Sequence, residues 1–276
     1  MAKSKKKRNH KKPAPKQQAT QATIVSTAET VTRKPEIAAA GTWLLITLLA
    51  FITASFLAWQ ILKIQNFNYG FWYDTIAIDQ TITRYGPENR NRDHFELTNK
   101  PEHERLFAAI VTAIHNGGEG LKEITYHHPS GKEIDTLLTE PEVVHLQDVA
   151  NLVTVFYWVG GISLILTPLL TLLALRRGLS FPALKKLAIS WLVVIGAISL
   201  ATVIIGPVKV FYQLHIWIIP KDHQWFFYYQ DSLMTLMMKA PDLFGYIAIA
   251  WAVVALPLLF IILLLMRKYS NQLNSA

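Results

Sequence analysis

Cysteine is absent from this chain of 276 residues. Its absence excludes thiol catalysis, thiolate metal ligands and disulfide bonds. The sequence also lacks a G-x-S-x-G nucleophile elbow, a P-loop and a dinucleotide-binding fingerprint, which argues against those classes of hydrolase and nucleotide enzyme. Charge is scarce, because 17% of the residues are charged whereas 51% are hydrophobic. This balance is typical of a membrane protein rather than a soluble one.

Four stretches are long and apolar enough to cross a bilayer core of ~30 Å, which takes about 20 residues of helix. The predicted spans are residues 42–62, 149–175, 187–206 and 243–266. We therefore predict an all-α membrane protein with four transmembrane helices and two outward-facing segments, 63–148 and 207–242, the second an aromatic interfacial segment. The predicted domains are a disordered basic N-terminal tail (1–38), a four-span membrane domain (39–268) and a short cytoplasmic tail (269–276).

The net charge of +8 is concentrated beside the spans. Basic residues cluster at one side of the predicted membrane, in the N-terminal run Lys3–Lys12 and at Arg176, Arg177, Lys185, Lys186, Arg267 and Lys268. By the positive-inside rule, both termini are cytoplasmic and both polar segments face outward. This placement favours a topology signal and a contact with anionic membrane lipid over a nucleic-acid partner.

The stretch "EPEVVHLQDVANL" places polar residues where a span begins. Thr139 and Glu142 have the spacing of a capping box, which predicts the start of a helix. Glu142, His145, Asp148 and Asn151 follow at three-residue intervals and form one polar stripe, which is costly to expose to lipid. Asp148 is placed to orient His145, as a carboxylate orients a general base, whereas helix capping alone accounts poorly for the histidine.

A second histidine-bearing stretch follows the third predicted span. It contains His215 in an apolar setting, then "PKDHQW" with Lys221, Asp222 and His223, and then several aromatic residues suited to the headgroup layer. Asp231 is a candidate N-cap for a short helix, Ser232–Lys239, whose apolar side chains we expect to lie in lipid. The topology places His215 on the same side of the membrane as His145.

Three functions are compatible with these residues. Two imidazoles with pKa values near ~6.5 suit acid–base catalysis on a lipid. A metal-dependent membrane hydrolase would instead use His145, Asp148, His215 and His223 as ligands, although their spacing matches no tight metal motif. The third alternative is a non-catalytic scaffold that docks a partner through its aromatic outer segment.

Taken together, "EPEVVHLQDVANL" and "LHIWIIPKDHQWFFYYQDSLMTLMMKAPDLF" resemble the bacterial lipoprotein intramolecular transacylases, an integral membrane family, over residues 42–268. The resemblance implies an acyltransferase of the cytoplasmic (inner) membrane with its active site on the outer face. The implied reaction moves the sn-2 acyl chain of a diacylglyceryl lipoprotein to the amine of that lipoprotein's N-terminal cysteine, which yields a lyso-form lipoprotein. It implies no cofactor and no metal.

The resemblance also implies site residues. The two family histidines correspond to His145 and His215, and we assign one as base and the other as proton donor or oxyanion stabiliser, in an order that the sequence leaves open. Asp148 completes the predicted catalytic set. The chain departs from the family pattern at Ala150 and Leu214 and in the "PKDHQW" turn. The residues predicted to contact the lipoprotein substrate are Trp217, Trp225, Lys221, His223 and Asn151.

Overall fold

The computed structural model describes the backbone of residues 1 and 17–274 and the side chains of residues 1, 39–206 and 208–273. The helices are α1 (Gln17–Ile64), α2 (Tyr69–Thr75), α3 (Ile78–Tyr85), α4 (Lys100–His115), α5 (Glu140–Arg176), α6 (Leu184–Ile205), α7 (Pro207–Ile218), α8 (Leu233–Met238) and α9 (Asp242–Asn274). Three short 3-10 helices cover Asn66–Asn68, Gly86–Glu88 and Phe95–Leu97, and a hairpin pairs β1 (Thr125–His127) with β2 (Glu133–Thr136) in antiparallel register.

Four of the described helices are long and apolar enough to cross a membrane, at Ala39–Ile64, Glu140–Arg176, Leu184–Ile205 and Asp242–Leu273. The predicted all-α membrane fold with four transmembrane helices is confirmed. The chain is a multi-pass membrane protein, and the one small hairpin leaves this class unchanged. With 37 residues, α5 is about 55 Å long, much longer than the ~30 Å core of a bilayer.

The chain divides into two units, Met1–Leu45 and Ile46–Ala276. As far as it is described, the first unit is the N-terminal part of α1, and every other element lies in the second. Helix α1 begins at Gln17, where the sequence predicts a disordered tail; the many alanines, glutamines and threonines from Gln17 onward include strong helix formers. Residues 2–16 of that predicted tail lie outside the described residues.

The segments between the membrane helices build a folded layer, which we call the cap and define as residues 65–139 and 219–241. Its apolar core includes large, fully buried side chains: Tyr69, Ile78, Phe95, Leu106, Ile110, Tyr126, Leu137, Leu233, Leu236 and Met237. Helix α4 begins where Asn99 accepts a hydrogen bond from the N–H of Glu102, and it ends before Gly117 and Gly118, both at positive φ.

The prediction that the helix after Asp231 lies in lipid is wrong. In α8, Leu233, Leu236 and Met237 are at most 1% exposed, because the helix packs against α3 inside the cap. Its N-cap is Ser232, whose hydroxyl accepts a hydrogen bond from the N–H of Thr235, whereas Asp231 pairs with Arg90. Helix α8 therefore forms part of the wall behind the candidate site.

The membrane helices α1 and α5 approach each other closely at Gly160. A Cβ atom added to Gly160 would clash with the ring of Phe56, whereas one added to the neighbouring Gly161 would meet nothing within 4 Å. One to two turns away on the same two helices, the Thr53 and Thr167 hydroxyls form a buried hydrogen bond of 3.1 Å. Small and hydroxyl-bearing residues of this kind let membrane helices pack closely.

Gly160→Ala should therefore destabilise the folded protein by about 1–3 kcal/mol, because it overpacks the contact with Phe56. Gly161→Ala is the matched control, since alanine favours a helix over glycine by roughly 1 kcal/mol and has open space there. Thermal unfolding of both variants in detergent measures the difference. Equal midpoint temperatures for the two would contradict the close approach of α1 and α5.

Candidate active site

An apolar cavity of about 340 Å³ lies between the cap and the adjoining ends of the membrane helices. This volume falls within the range of small-molecule binding pockets. Its walls are formed by the following residues: Trp59, Phe67, Phe107, Ile110, Val111, Ile114, His115, His145, Leu146, Val149, Val153, Phe211, His215, Trp225, Phe227, Met234, Thr235, Met238, Ala240, Phe244 and Ile247. The structure therefore brings the two predicted histidines, His145 and His215, to one apolar site.

His215 lies on the last turns of α7, and the backbone there sets its tautomer. Its Nδ1–H donates to the carbonyl oxygen of Phe211 over 2.8 Å, which leaves the lone pair on Nε2 in the neutral ring. The ring is packed between Phe211 and Trp225, with centroid separations of 4.1 and 4.9 Å. A held imidazole with an available Nε2 is suited to accept a proton.

His145 lies on the second turn of α5, and its ring contacts that of Phe227 at a centroid separation of 5.9 Å. Its Nδ1 is buried and has no hydrogen-bond partner among the described residues. A buried polar atom without a partner costs free energy that a bound substrate would recover. His145 is therefore available for contact with a ligand in the cavity.

The start of α5 is fixed by Glu142, as the capping-box spacing predicts. The Glu142 carboxylate accepts a bond of 2.6 Å from the N–H of Thr139 and another of 2.6 Å from the Thr139 hydroxyl. The hydroxyl of Ser232 donates to its second oxygen, which ties α5 to the start of α8. Glu142 is fully buried and acts in this structural junction one turn before His145.

Asp148 does not hydrogen-bond to His145, contrary to the predicted pairing. Its carboxylate instead accepts a bond of 2.7 Å from Nδ1 of His223, in the turn after α7. This hydrogen bond is the largest cause that raises the pKa of His223 above its usual value. The three-residue spacing predicts that Asp148 pairs with His145 on the same helix. Its carboxylate instead binds His223, which is 75 residues away in the sequence.

The other predicted substrate contacts divide between the cavity and the surface. Trp225 lines the cavity, whereas Trp217 is 74% exposed and Lys221 is exposed, and neither of these two lines it. Asn151 is exposed as well and accepts a hydrogen bond from the Gln147 side chain. The part of the chain that the structure describes contains no cluster of three histidine, cysteine or carboxylate side chains suited to a metal, so the four-ligand set of the hydrolase alternative is not assembled.

The sequence gives no partner for His115, the third histidine of the cavity. Its Nδ1–H donates to the carbonyl oxygen of Val111 over 2.6 Å, and its Nε2 accepts from the indole N–H of Trp59 over 2.9 Å. Burial lowers the pKa of this imidazole. Because both ring nitrogens are used, His115 is a neutral wall residue that joins α1 to α4. The only sequence signal was a tryptophan near the predicted end of a span.

Comparisons with known proteins agree with this architecture. The model of the family "Lipoprotein intramolecular transacylase Lit" matches residues 122–244, which include both histidines of the cavity. The predicted resemblance is confirmed. No curated protein sequence matches the chain. A structure of the membrane integral lipoprotein intramolecular transacylase Lit from Bacillus cereus aligns with a TM-score of 0.55 at 18% identity, over 86% of this chain and 100% of that chain.

Two variants of Bacillus cereus Lit with a substituted histidine align similarly. The histidine-to-arginine variant has a TM-score of 0.55 at 16% identity and covers 87% of this chain and 97% of that chain. The histidine-to-alanine variant has a TM-score of 0.56 at 16% identity, with coverages of 86% and 97%. At these identities the Lit structures establish a shared fold, while the chemistry has to be argued from the cavity.

Proposed function

We propose that this protein is a membrane acyltransferase that moves the sn-2 acyl chain of a diacylglyceryl lipoprotein to the amine of the same lipoprotein's N-terminal cysteine. The observation that carries the proposal is the pair of histidines in one apolar cavity. One of them has its tautomer set by a backbone carbonyl, and the other has a free ring nitrogen. The match to the transacylase family over residues 122–244 gives independent support.

In the proposed reaction, the cysteine amine attacks the carbonyl carbon of the sn-2 ester. A C–N bond forms, the ester C–O bond breaks, and the acyl chain ends as an amide. Nε2 of His215 accepts the proton that the amine loses, because Nδ1–H of this ring is already used by Phe211. His145 donates a hydrogen bond to the developing oxyanion, and the proton held on Nε2 of His215 then passes to the departing glycerol oxygen, so both imidazoles end neutral.

The arrangement needs no covalent enzyme intermediate, since nucleophile and ester belong to one molecule. Holding both groups in the same cavity fixes their relative orientation. In well-oriented intramolecular reactions, this orientation lowers the activation barrier by up to about 7–11 kcal/mol. The apolar walls accept acyl chains, and the aromatic rings around His215 hold its imidazole in place. The four apolar helices are long enough to be surrounded by membrane lipid.

The proposal is tested by mass spectrometry of the N-terminal lipopeptide of a reporter lipoprotein. The reporter is made in cells that lack N-acylating enzymes, with and without this protein. We expect a conversion from the diacylglyceryl form to an N-acyl, S-monoacylglyceryl form when the protein is present. An unchanged lipopeptide, with the protein verified in the membrane, would refute the assigned substrate.

We further propose that the protein lies in the bacterial cytoplasmic (inner) membrane with both termini cytoplasmic and the cap outside. In this naturally cysteine-free chain, Ser130→Cys in the hairpin turn should react with an impermeant thiol reagent added to whole cells, and Ser180→Cys between α5 and α6 should not. Both serines are exposed in the structure, so accessibility depends on the side of the membrane. The reverse labelling pattern would place the histidine cavity in the cytoplasm and exclude a lipoprotein substrate exported across the membrane.

A further inference from the structure

One irregular segment contacts both histidines of the cavity. Residues 219–227, which we call the strap, connect α7 to the rest of the cap without forming a helix or a strand. The Trp225 ring lies 4.9 Å from that of His215, and the Phe227 ring lies 5.9 Å from that of His145. The position of the strap therefore bears on both imidazoles at once.

The strap is held to the helices by little besides apolar contact. The bond from His223 to Asp148 is the one side-chain hydrogen bond that joins the strap to another element within the part of the chain that the structure describes. The side chain of His223 is 32% exposed and that of Asp148 is 13% exposed, so the pair lies at the rim rather than in bulk solvent. Because Asp148 is one turn after His145, this bond links the strap to the helical turn beside a proposed catalytic residue.

We propose that Asp148 and His223 are positioning residues whose ion pair latches the strap across the cavity and holds Trp225 and Phe227 against the two catalytic histidines. The inference rests on the proposed acyl transfer for its catalytic consequence, but the latch itself is a property of the fold. A closed strap excludes water from the reacting groups, and an open strap exposes the cavity to the surrounding phase. Neither residue contacts the reacting atoms in this scheme.

The latch depends on pH in a defined direction. It is strongest while His223 is protonated and Asp148 is ionised, because a charge-assisted hydrogen bond is roughly twice as strong as a neutral one. The pKa of His223 is raised, chiefly by the bond to Asp148, so the charged pair is present below this pKa and weakens as the pH rises through it. Two other titratable groups interact with the pair: the charge of Asp222 also raises the pKa of His223, and His145 lies one turn before Asp148 on α5 and interacts with its charge.

Cysteine labelling measures the latch without any assay of activity. Thr235→Cys places a thiol in the wall of the cavity, and Ser130→Cys provides an exposed reference thiol. The labelling rate at position 235 is divided by the rate at position 130, which corrects for the general rise of thiol reactivity with pH. In the full-length protein, Asp148→Ala and His223→Ala should each raise the ratio of the two maleimide labelling rates by roughly threefold to tenfold. The double variant should show the same ratio as either single variant, because both remove one interaction.

A conservative variant separates the latch from general disruption of the turn. His223→Asn places an amide N–H near the position of Nδ1, so it keeps a neutral donor to Asp148 and has no titration. Its labelling ratio should lie between those of the wild type and the alanine variants at neutral pH and should change little as the pH rises, whereas the wild-type ratio should increase toward that of His223→Asn. Labelling ratios that are unchanged in the alanine variants, or effects that add in the double variant, would overturn the latch.

Acyl transfer in the same variants separates this inference from the proposed function. Asp148→Ala should lower turnover by roughly threefold to tenfold. In the wild type, turnover should decline at alkaline pH over the interval in which the labelling ratio rises, and this decline should be absent in Asp148→Ala. Transfer that depends on His145 but is unaffected by both latch variants would refute the positioning role of Asp148 and His223 alone. A latch that behaves as expected in a protein without acyl transfer would refute the proposed function alone.

Discussion

Replacing His215 by alanine should reduce acyl transfer by about 10²–10⁴-fold, the usual contribution of a general base. In the proposed reaction His215 takes the proton of the attacking amine through Nε2, and alanine removes that acceptor. The mass-spectrometric assay of the reporter lipopeptide, run at matched amounts of membrane-inserted protein, measures the loss. His145→Ala should have an effect of about 10²–10³-fold, because it removes the hydrogen-bond donor to the oxyanion.

Two further variants make this result specific. His215→Asn retains an N–H placed to donate to the carbonyl of Phe211, so α7 keeps its local bond, but it has no basic nitrogen. It should therefore remain folded and as inactive as the alanine variant. His128→Ala removes an exposed histidine of the hairpin turn and should keep full activity. Wild-type rates in both His145→Ala and His215→Ala would eliminate the two-histidine mechanism.

Acid should destabilise the cap through His103, by about 2 kcal/mol between pH 7.5 and pH 5. Burial lowers the pKa of this imidazole to about 4, whereas an unfolded chain has the ordinary value near ~6.5. The unfolded state therefore binds more protons over this interval, so the stability is present above ~6.5 and is lost as the pH falls. For a protein of this size, the expected decrease in the thermal midpoint is roughly 4–8 °C.

The hydrogen bonds around His103 explain why the neutral ring is favoured. Thr98 uses its hydroxyl hydrogen on the carbonyl of Phe95, so it accepts from Nε2 of His103, and Nδ1 then accepts from the hydroxyl of Tyr73. A second ring proton, on Nδ1, would break the bond that Tyr73 donates and force its hydroxyl hydrogen to turn away. The pKa of Tyr73 is raised to about 12, mainly by burial, so that phenol stays protonated throughout this interval.

His103→Gln provides the control, because it removes the titration while retaining a polar side chain of similar length. The variant should be less stable than the wild type at pH 7.5, and its thermal midpoint should decrease less between pH 7.5 and pH 5. If the wild type and the variant lose the same number of degrees over this interval, the acid sensitivity comes from other groups. The measurement uses thermal unfolding in detergent and does not depend on acyl transfer.

Local signals predicted much of this fold. The apolar stretches predicted all four membrane helices, and the Thr139 and Glu142 spacing predicted the start of α5. Between β1 and β2, the turn of the hairpin is formed by Pro129, Ser130 and Gly131, which are residue types typical of turns. Each of these features is decided by residues close together in the chain, so hydropathy, capping and turn chemistry are sufficient to predict them.

The partners of the polar residues in the site were harder to predict. Asp148 was assigned to the nearest histidine on its own helix, but the cap folds back and supplies His223. Helix α8 was likewise predicted to lie in lipid, but it is buried in the cap. A short apolar helix that faces a bilayer has the same composition as one that faces a protein core. Both outcomes depend on contacts between distant segments, for which a single sequence carries no direct signal.

The length of α5 has a consequence for the path of the substrate. His145 precedes Arg176 by 31 positions, a distance of about 46 Å along the helix, or about 43 Å if the helix is tilted by 20°. With Arg176 at one face of a hydrocarbon layer ~30 Å thick, the histidine lies beyond the opposite face of that layer. In the proposed reaction, an acyl chain that reaches His145 must therefore leave the neighbouring lipid chains of its leaflet and move toward the cap. The walls of the apolar cavity then replace the contacts with lipid chains that the acyl chain loses. The cap therefore provides an apolar environment for the acyl chain beyond the membrane surface.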